Sequence, residues 1–465
     1  MSRDCEDGCH ETSPHRSSSG RVDDEHRTRG GVGDVLSARR AGPDRTWRSS
    51  DRSLGIWLGP MVASRWDQYR RLVQGRTAKR IATVADARRL AMRRVPRAVF
   101  DYIDGGAGAE LTLGANLSAI QAVQFRPRVG VTMGVPAPEL QTSVLGFPVA
   151  MPVLMSPVGY TRMMEPLGDL AGVRAAGKAG TIFTLSSMSG HRMEEVMAAA
   201  AQPAWFQLYF LGGRPGAEKL VASAREAGFS GLVLTLDTQI TGNRERELRH
   251  RVGPPLKVDL PTMRKMATQV AVRPGWLAGI AHDRFQLSIV NTEALGTAGQ
   301  PMSSEDAFAQ WVASPARWED FAWLREQWRG PILAKGVVTG DDARRAIDSG
   351  ADAIIVSNHG GRQLDSLPGA LRSLVEVVDA VAGEVEVLVD GGFRRGADVV
   401  KAVALGARAV MVGRPWVYGL AAAGQPGIER VLALFREDLD RTLRLLGCAS
   451  VAELNRSHVR VPRGW

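Results

Sequence analysis

Cysteine is scarce, with only Cys5, Cys9 and Cys448 in 465 residues. They build no disulfide framework, and Cys5-x3-Cys9 lacks a second metal pair, so a reducing cytosol is the expected setting. Long apolar runs are missing as well. None approaches the ~18–20 residues of a membrane span, and the N-terminus lacks the apolar core of a secretory signal. These absences predict a cytoplasmic protein, with room for peripheral contact at the inner face of the cell membrane. No His/Cys/carboxylate cluster has ligand spacing, which predicts no metal.

What is present is glycine and positive charge. Fifty-one glycines suit a fold with many tight strand-to-helix turns. The net charge is +10. Residues 61–100 carry 11 Lys/Arg against Asp67 and Asp86, so nearly all the excess lies in one arm. Only Trp66 and Tyr69 interleave with that charge, too few for stacking bases, so no nucleic acid is expected. A solvated helix face or an anionic lipid surface fits the arm. Residues 1–60 are rich in Ser, Gly, Arg and Asp without apolar periodicity and read as a disordered extension. Residues 61–465 read as the folded domain.

From about residue 150 one unit repeats: a short apolar run, a polar turn, then a helical stretch. The runs are Pro152–Met155, Ile182–Leu185, Trp205–Tyr209, Leu232–Leu236, Pro331–Ala334, Ala353–Val356, Val385–Val389 and Ala409–Val412. Eight such units predict an α/β protein, a (β/α)8 TIM barrel, with its site at the carboxyl ends of the strands. A doubly wound sheet would need a glycine-rich fingerprint, which Ser156-Pro157-Val158-Gly159 is not. Residues 252–315 break the rhythm and read as a long inserted loop: a lid, a binding insertion or a mobile loop, with ordinary packing on the barrel equally open.

Chemically capable residues sit at the strand ends. In Ser357-Asn358-His359-Gly360-Gly361-Arg362-Gln363-Leu364-Asp365, the imidazole can move a proton near neutral pH and the guanidinium can grip a carboxylate. Lys335 offers a fixed charge for an anionic cofactor, a Schiff base or a phosphate. Asp237 either orients a histidine or caps a helix. Arg244, in an alternating charge run, either faces solvent or reaches a carboxylate. The turns Asp390-Gly391-Gly392-Phe393-Arg394 and Gly413-Arg414 follow the last two strands, where this fold frequently binds phosphate.

With Phe206-Gln207-Leu208-Tyr209, Leu236-Asp237-Thr238 and Lys335-Gly336-Val337, the His359 segment resembles the FMN-dependent L-2-hydroxy acid oxidase and dehydrogenase family. Glycolate oxidase and the quinone-linked lactate and mandelate dehydrogenases are of that family. The resemblance, from about Ile81 to His458, implies an FMN cofactor and His359 as the base, oriented by Asp237. It implies that Arg244 and Arg362 hold the substrate carboxylate while Tyr102 and Tyr209 bond substrate oxygens. Lys335 would stabilise charge on the reduced flavin. Pro157, Val158, Gly159, Ser186, Gln207, Thr235 and Ser357 would line the flavin. Asp390, Gly391, Gly392, Phe393, Arg394, Gly413 and Arg414 would hold the ribityl tail and phosphate. A homotetramer is implied too.

The expected function is oxidation of an L-2-hydroxy acid, L-lactate or a similar small acid, to the 2-oxo acid. Gly159 stands where many oxidases of the family carry alanine, which favours quinone or another carrier over oxygen as acceptor. Met188 and Thr241 differ from the bulkier residues of short-chain glycolate oxidases. The competitor within the family is oxidation of a modified peptide, as in mycofactocin maturation. Arg362 argues against it, since a gripped carboxylate implies a small acid. A non-catalytic FMN-binding scaffold would require His359 or its partners to be missing.

Overall fold

The computed structural model describes residues 60–131, 137–250, 260–295 and 302–465. The expectation for residues 1–60 falls, but for Pro60, outside the described residues.

Eight parallel strands close into one barrel. In chain order they are β1 (Val153–Met155), β2 (Phe183–Ser186), β3 (Ala204–Leu208), β4 (Gly231–Thr235), β5 (Ile332–Val337), β6 (Ala353–Val356), β7 (Glu386–Asp390) and β8 (Ala409–Val412). Each pairs with its chain neighbours, and β8 pairs with β1 to complete the ring. The open doubly wound sheet is thereby excluded.

Alternation along each strand divides the core in two. Leu154, Trp205, Val233, Leu333, Ile355, Leu388 and Met411 fill the barrel interior. Their neighbours Phe206, Leu208, Leu232, Leu234 and Val356 face the surrounding helices. This is the period-two pattern of a strand buried on both faces. A hairpin, Thr142–Val144 with Phe147–Val149, plugs the amino end of the barrel with Val144 and Val149.

Local chemistry fixes the helices. Thr339 accepts from the Asp342 N–H and starts helix Gly340–Asp348; Ser303 does the same for Ser304–Ala313 through Asp306. N-terminal to the barrel lie helices Pro60–Ala78, Val84–Arg94, Arg97–Asp104 and Leu111–Ala122. Three of them pack on the long C-terminal element Arg414–Leu446.

Two expectations need correction. The run Pro331–Ala334 is observed as the longer strand Ile332–Val337, with a register shift between Lys335 and Val337. The inserted stretch is largely helical where described: Leu260–Ala271, Pro274–His282 and Ser304–Ala313, with a 3-10 turn at Val290–Leu295. Its apolar residues explain this, because Trp276, Ile280, Phe308 and Trp311 are buried against the barrel rather than left in a loop.

Candidate active site

The alternation that builds the interior also builds the site. Two residues beyond six of these interior positions the side chain points inward again, now at the carboxyl end, and there the sequence changes from apolar to polar. Leu154 leads to Ser156, Trp205 to Gln207, Val233 to Thr235, Leu333 to Lys335, Ile355 to Ser357 and Leu388 to Asp390. With Ser186 these form a polar floor under one cavity, directly lined by Ser156, Ser186, Gln207, Thr235, Lys335 and Asp390. The floor is cross-bonded: Ser186 Oγ donates to Gln207 Oε1 at 3.2 Å, and Gln207 Nε2 to Thr235 Oγ1 at 3.1 Å. Lys335 Nζ donates to Ser357 Oγ at 2.7 Å and pairs with Asp390 Oδ2 at 3.1 Å.

His359 and Asp237, distant in sequence, meet above this floor. His359 Nδ1 lies 3.1 and 3.3 Å from the two Asp237 oxygens. Burial lowers the His359 pKa, and this outweighs the opposing pull of Asp237. Burial would raise the Asp237 pKa, but the His359 charge, its hydrogen bond and Lys335 together bring it below the ordinary value. The pair is therefore a carboxylate beside a neutral imidazole. An ionised carboxylate only accepts, so Nδ1 carries the proton and Nε2 presents its lone pair. Tyr209 Oη stands 3.5 Å from Nε2, and burial raises the Tyr209 pKa, keeping the phenol protonated.

Asp237 also explains the irregularity in β5. Gly336 has φ +105°, and a Cβ there would lie 2.6 Å from the Asp237 Cβ. The bulge at this glycine makes room for the carboxylate that orients His359. Asp237 caps no helix.

The two arginines converge as expected, yet neither is free. Arg362 Nη1 donates to the carbonyls of Tyr102 at 2.6 Å and Gly105 at 3.0 Å. Its Nη2 donates to Glu247 Oε1 at 3.0 Å. Arg244 Nη1 lies 3.6 Å from Glu247 Oε2, and its Nε donates to the Arg362 carbonyl at 3.2 Å. Arg244 is not on a solvated face: its side chain is 11% exposed. Glu247, buried and paired with both arginines, was invisible within the charge run Arg244-Glu245-Arg246-Glu247. Tyr102 lies under the Arg362 guanidinium, 5.0 Å from ring centroid to Cζ, and its hydroxyl donates to the Gly159 carbonyl at 3.3 Å.

The inserted segment supplies two further wall residues, Phe308 and Trp311, which together with Met188, Thr238 and Thr241 line the same cavity. Trp311 packs on Tyr209 with ring centroids 5.0 Å apart. The only sequence sign of this was a pair of tryptophans in the long insertion. Gly159 has a packing reason: a Cβ there would come within 2.6 Å of the Met188 Cβ. The residue therefore cannot by itself distinguish an oxidase from a dehydrogenase.

At the opposite end lie Gly391 to Arg394 and Gly413 to Arg414. Helix Gly396–Ala404 and helix Arg414–Leu446 begin beside these turns, so their amino ends face an anion site. Arg414, expected at the phosphate, spends its donors on the carbonyls of Ile103, Gly360 and Gly105 at 3.1, 2.8 and 2.8 Å. It ties the His359 loop to the N-terminal helices. Burial brings its pKa down to about 10, so it stays charged at neutral pH.

Two observations fit a mononucleotide in this cavity. Asp390 Oδ1 is buried without a hydrogen-bond partner and faces the cavity, as a ribityl hydroxyl would require. Gly413 lines the cavity with φ −101°, and a Cβ there would meet nothing nearer than 3.7 Å. No protein neighbour demands a glycine at that position, whereas a close ligand would. Among the described residues no cluster of acidic, histidine or cysteine side chains could hold a metal.

The FMN-dependent dehydrogenase family model matches residues 91–461. The chain belongs to that family. FMN is its cofactor, and its reaction class is FMN-dependent oxidation of 2-hydroxy acids. Pre-mycofactocin synthase of Mycobacterium tuberculosis is 42% identical over 387 residues, covering 82% of this chain and 95% of the relative. Glycolate oxidase 1 of Oryza sativa is 39% identical over 384 residues, covering 82% of this chain and 95% of the relative. Among solved structures, the monotopic membrane protein (S)-mandelate dehydrogenase superposes with TM-score 0.75 at 37% identity, covering 82% of this chain and 100% of that one. No described helix of this chain is long and apolar enough to cross a membrane.

Proposed function

We propose that the chain oxidises the hydroxyl-bearing carbon of an L-2-hydroxyacyl compound to the 2-oxo compound, with His359 as the base. The observation that carries this is the His359 ring in the cavity wall, with Nδ1 3.1 Å from the Asp237 carboxylate and Nε2 beside the Tyr209 hydroxyl. Nε2 takes one proton from the substrate, and Asp237 stabilises the imidazolium that results. Bound FMN supplies the sink for the two electrons. Tyr209, protonated and beside Nε2, donates to a substrate oxygen. Arg244 and Arg362 hold the carboxyl end. Lys335, between Ser357 and Asp390, sets positive charge at the flavin face of the floor.

L-lactate is the simplest substrate of this class, and quinone or another carrier is the proposed acceptor. The membrane-bound mandelate dehydrogenase relative supports the acceptor. A second reading, oxidation of a modified peptide, is favoured by one observation: the 42% identical relative is a pre-mycofactocin synthase.

Anaerobic bleaching of bound FMN by a panel of 2-hydroxy compounds tests the reaction. At least one should bleach the flavin, and His359→Gln should keep FMN while slowing bleaching about 10³-fold or more. No bleaching by any compound would overturn the reaction, and near-normal bleaching in the variant would overturn the base. Reoxidation by a quinone analogue should outpace that by oxygen; the reverse would overturn the acceptor.

A further inference from the structure

A second cavity, of about 450 Å³, shares no lining residue with the active site. It lies where the first two N-terminal helices, residues 164–166 after β1, residues 272–279 of the insertion and the long C-terminal helix meet. Trp276 Nε1 donates to the Met163 carbonyl at 2.8 Å and seats the inserted helix there. The lining carries five arginines, Arg70, Arg80, Arg93, Arg94 and Arg273, and one carboxylate, Glu165.

That carboxylate is already shared. Glu165 pairs with Arg70 Nη2, and accepts from Gln74 Nε2 at 3.0 Å and the Leu167 N–H at 3.2 Å. Arg94 Nη2 stands 3.8 Å from it. Asp67 and Asp283 attract Arg70 from outside the lining, and Asp283 is held by Arg162 through bonds of 2.6 and 2.9 Å. The Arg80 and Arg93 side chains have no hydrogen-bond or ion-pair partner among the described residues. Arg273 Nε is buried without a partner, and its terminal nitrogens reach only the Val272 and Met92 carbonyls, at 3.3 and 3.5 Å. Burial, with the neighbouring Arg70 charge, brings the Arg94 pKa down to about 10. Positive charge is therefore left uncompensated in this hollow.

Charge of one sign gathered in a partly enclosed cleft attracts a counter-ion. Guanidinium groups match phosphate oxygens through paired N–H bonds. The cavity has room for more than a bare phosphate, and Val73, Leu90, Met164 and Trp276 offer an apolar wall for a carbon body. We propose that this cavity binds a phosphate ester, its phosphate held by Arg80, Arg93 and Arg273 and its organic part against the apolar wall. A phospholipid headgroup and a soluble phosphorylated metabolite share that chemistry. The site is separate from the flavin reaction and stands whichever substrate His359 serves.

Calorimetric titration of the FMN-loaded full chain with glycerol 3-phosphate and with ribose 5-phosphate tests the soluble source. Co-sedimentation with phosphatidylcholine vesicles, with or without an equal share of phosphatidylglycerol, tests the lipid source. The double variant Arg80→Gln with Arg93→Gln removes two cavity charges that have no protein partner, so fold and flavin should be kept. The control, Arg71→Gln with Arg76→Gln, removes the same charge from exposed positions of the same arm outside the cavity.

At least one probe should bind the wild type, and the cavity variant should weaken it roughly tenfold or more. The control should stay within about twofold of the wild type. Binding of phosphatidylglycerol vesicles alone identifies a lipid headgroup, and binding of the soluble esters identifies a metabolite; either supports the site. Binding of no probe overturns it. Equal weakening in both variants also overturns it, because diffuse surface charge would then suffice.

Discussion

His359 combines a left-handed backbone, φ +56°, with a ring locked between Asp237 and Tyr209. Such a backbone costs a non-glycine residue about 1 kcal/mol, and the loop is held in it by Arg414 on the Gly360 carbonyl and by Ser357 Oγ on the His359 N–H. Because burial depresses the His359 pKa, the base remains deprotonated below its ordinary range. The acid limb of the rate profile should therefore lie below the unperturbed histidine value of about 6.5. Asp237→Asn removes the charge that opposes this depression. It should push the limb to still lower pH and slow the reaction roughly 10²–10⁴-fold; a steady-state pH profile of both proteins checks the two effects. A limb that stays in place would show that Asp237 does not act on His359 by charge.

At the scale of elements, the bulge in β5 and the helix Ser304–Ala313 matter most to the site. Gly336→Ala would place a methyl 2.6 Å from the Asp237 Cβ on a backbone with φ +105°. It should destabilise the fold by roughly 2 kcal/mol and disturb the His359–Asp237 pair, read as a lower melting temperature together with slower flavin bleaching. The strands themselves were legible in the sequence, because short apolar runs bounded by polar turns allow few other readings. The helix was not. Residues 302–315 lie in a stretch of mixed composition, and only its burial against Tyr209 and the barrel makes Trp311 a wall of the site. Glu247 stayed hidden for a related reason: an alternating charge run ordinarily faces water, and here the helices of the N-terminal segment cover it.

Across the whole molecule, that N-terminal segment is tied to the barrel by an ion network around the buried Asp104 carboxylate. Asp104 accepts from Arg88 Nε at 2.5 Å, Arg246 Nη1 at 2.9 Å and the Tyr418 hydroxyl at 2.7 Å. Burial opposes ionisation of Asp104, but the Arg88 and Tyr418 hydrogen bonds prevail and bring its pKa down to about 2. A carboxyl with a depressed folded pKa stabilises the fold above its unfolded value of about 3.9, and that contribution disappears as pH falls towards the folded value. The shift corresponds to stability on the order of 2 kcal/mol. His359 acts at higher pH, since its depressed pKa makes the native state resist a proton that the unfolded chain accepts below about pH 6.5. Stability should thus fall in two stages on acidification. Asp104→Asn should lower the neutral-pH melting temperature and remove part of the loss below pH 4, the depressed Asp237 carboxyl among others supplying the rest, as measured by thermal unfolding from pH 7 to 3.

The sequence by itself determined the eight strands, their parallel arrangement and the polar residue that closes each interior run, because alternation and strand-end chemistry are local properties of the chain. It also placed His359, Arg362 and Asp237 at the barrel mouth. Only the tertiary structure decided what those residues are bonded to. Closure of the barrel brings residue 237 to residue 359, and the docked N-terminal helices bury residue 247 against residues 244 and 362. Hydrogen bonds and ion pairs depend on distances of a few ångströms between groups far apart in the chain. The reactive pair was therefore readable from the sequence, while the bonds that hold its neighbours were not.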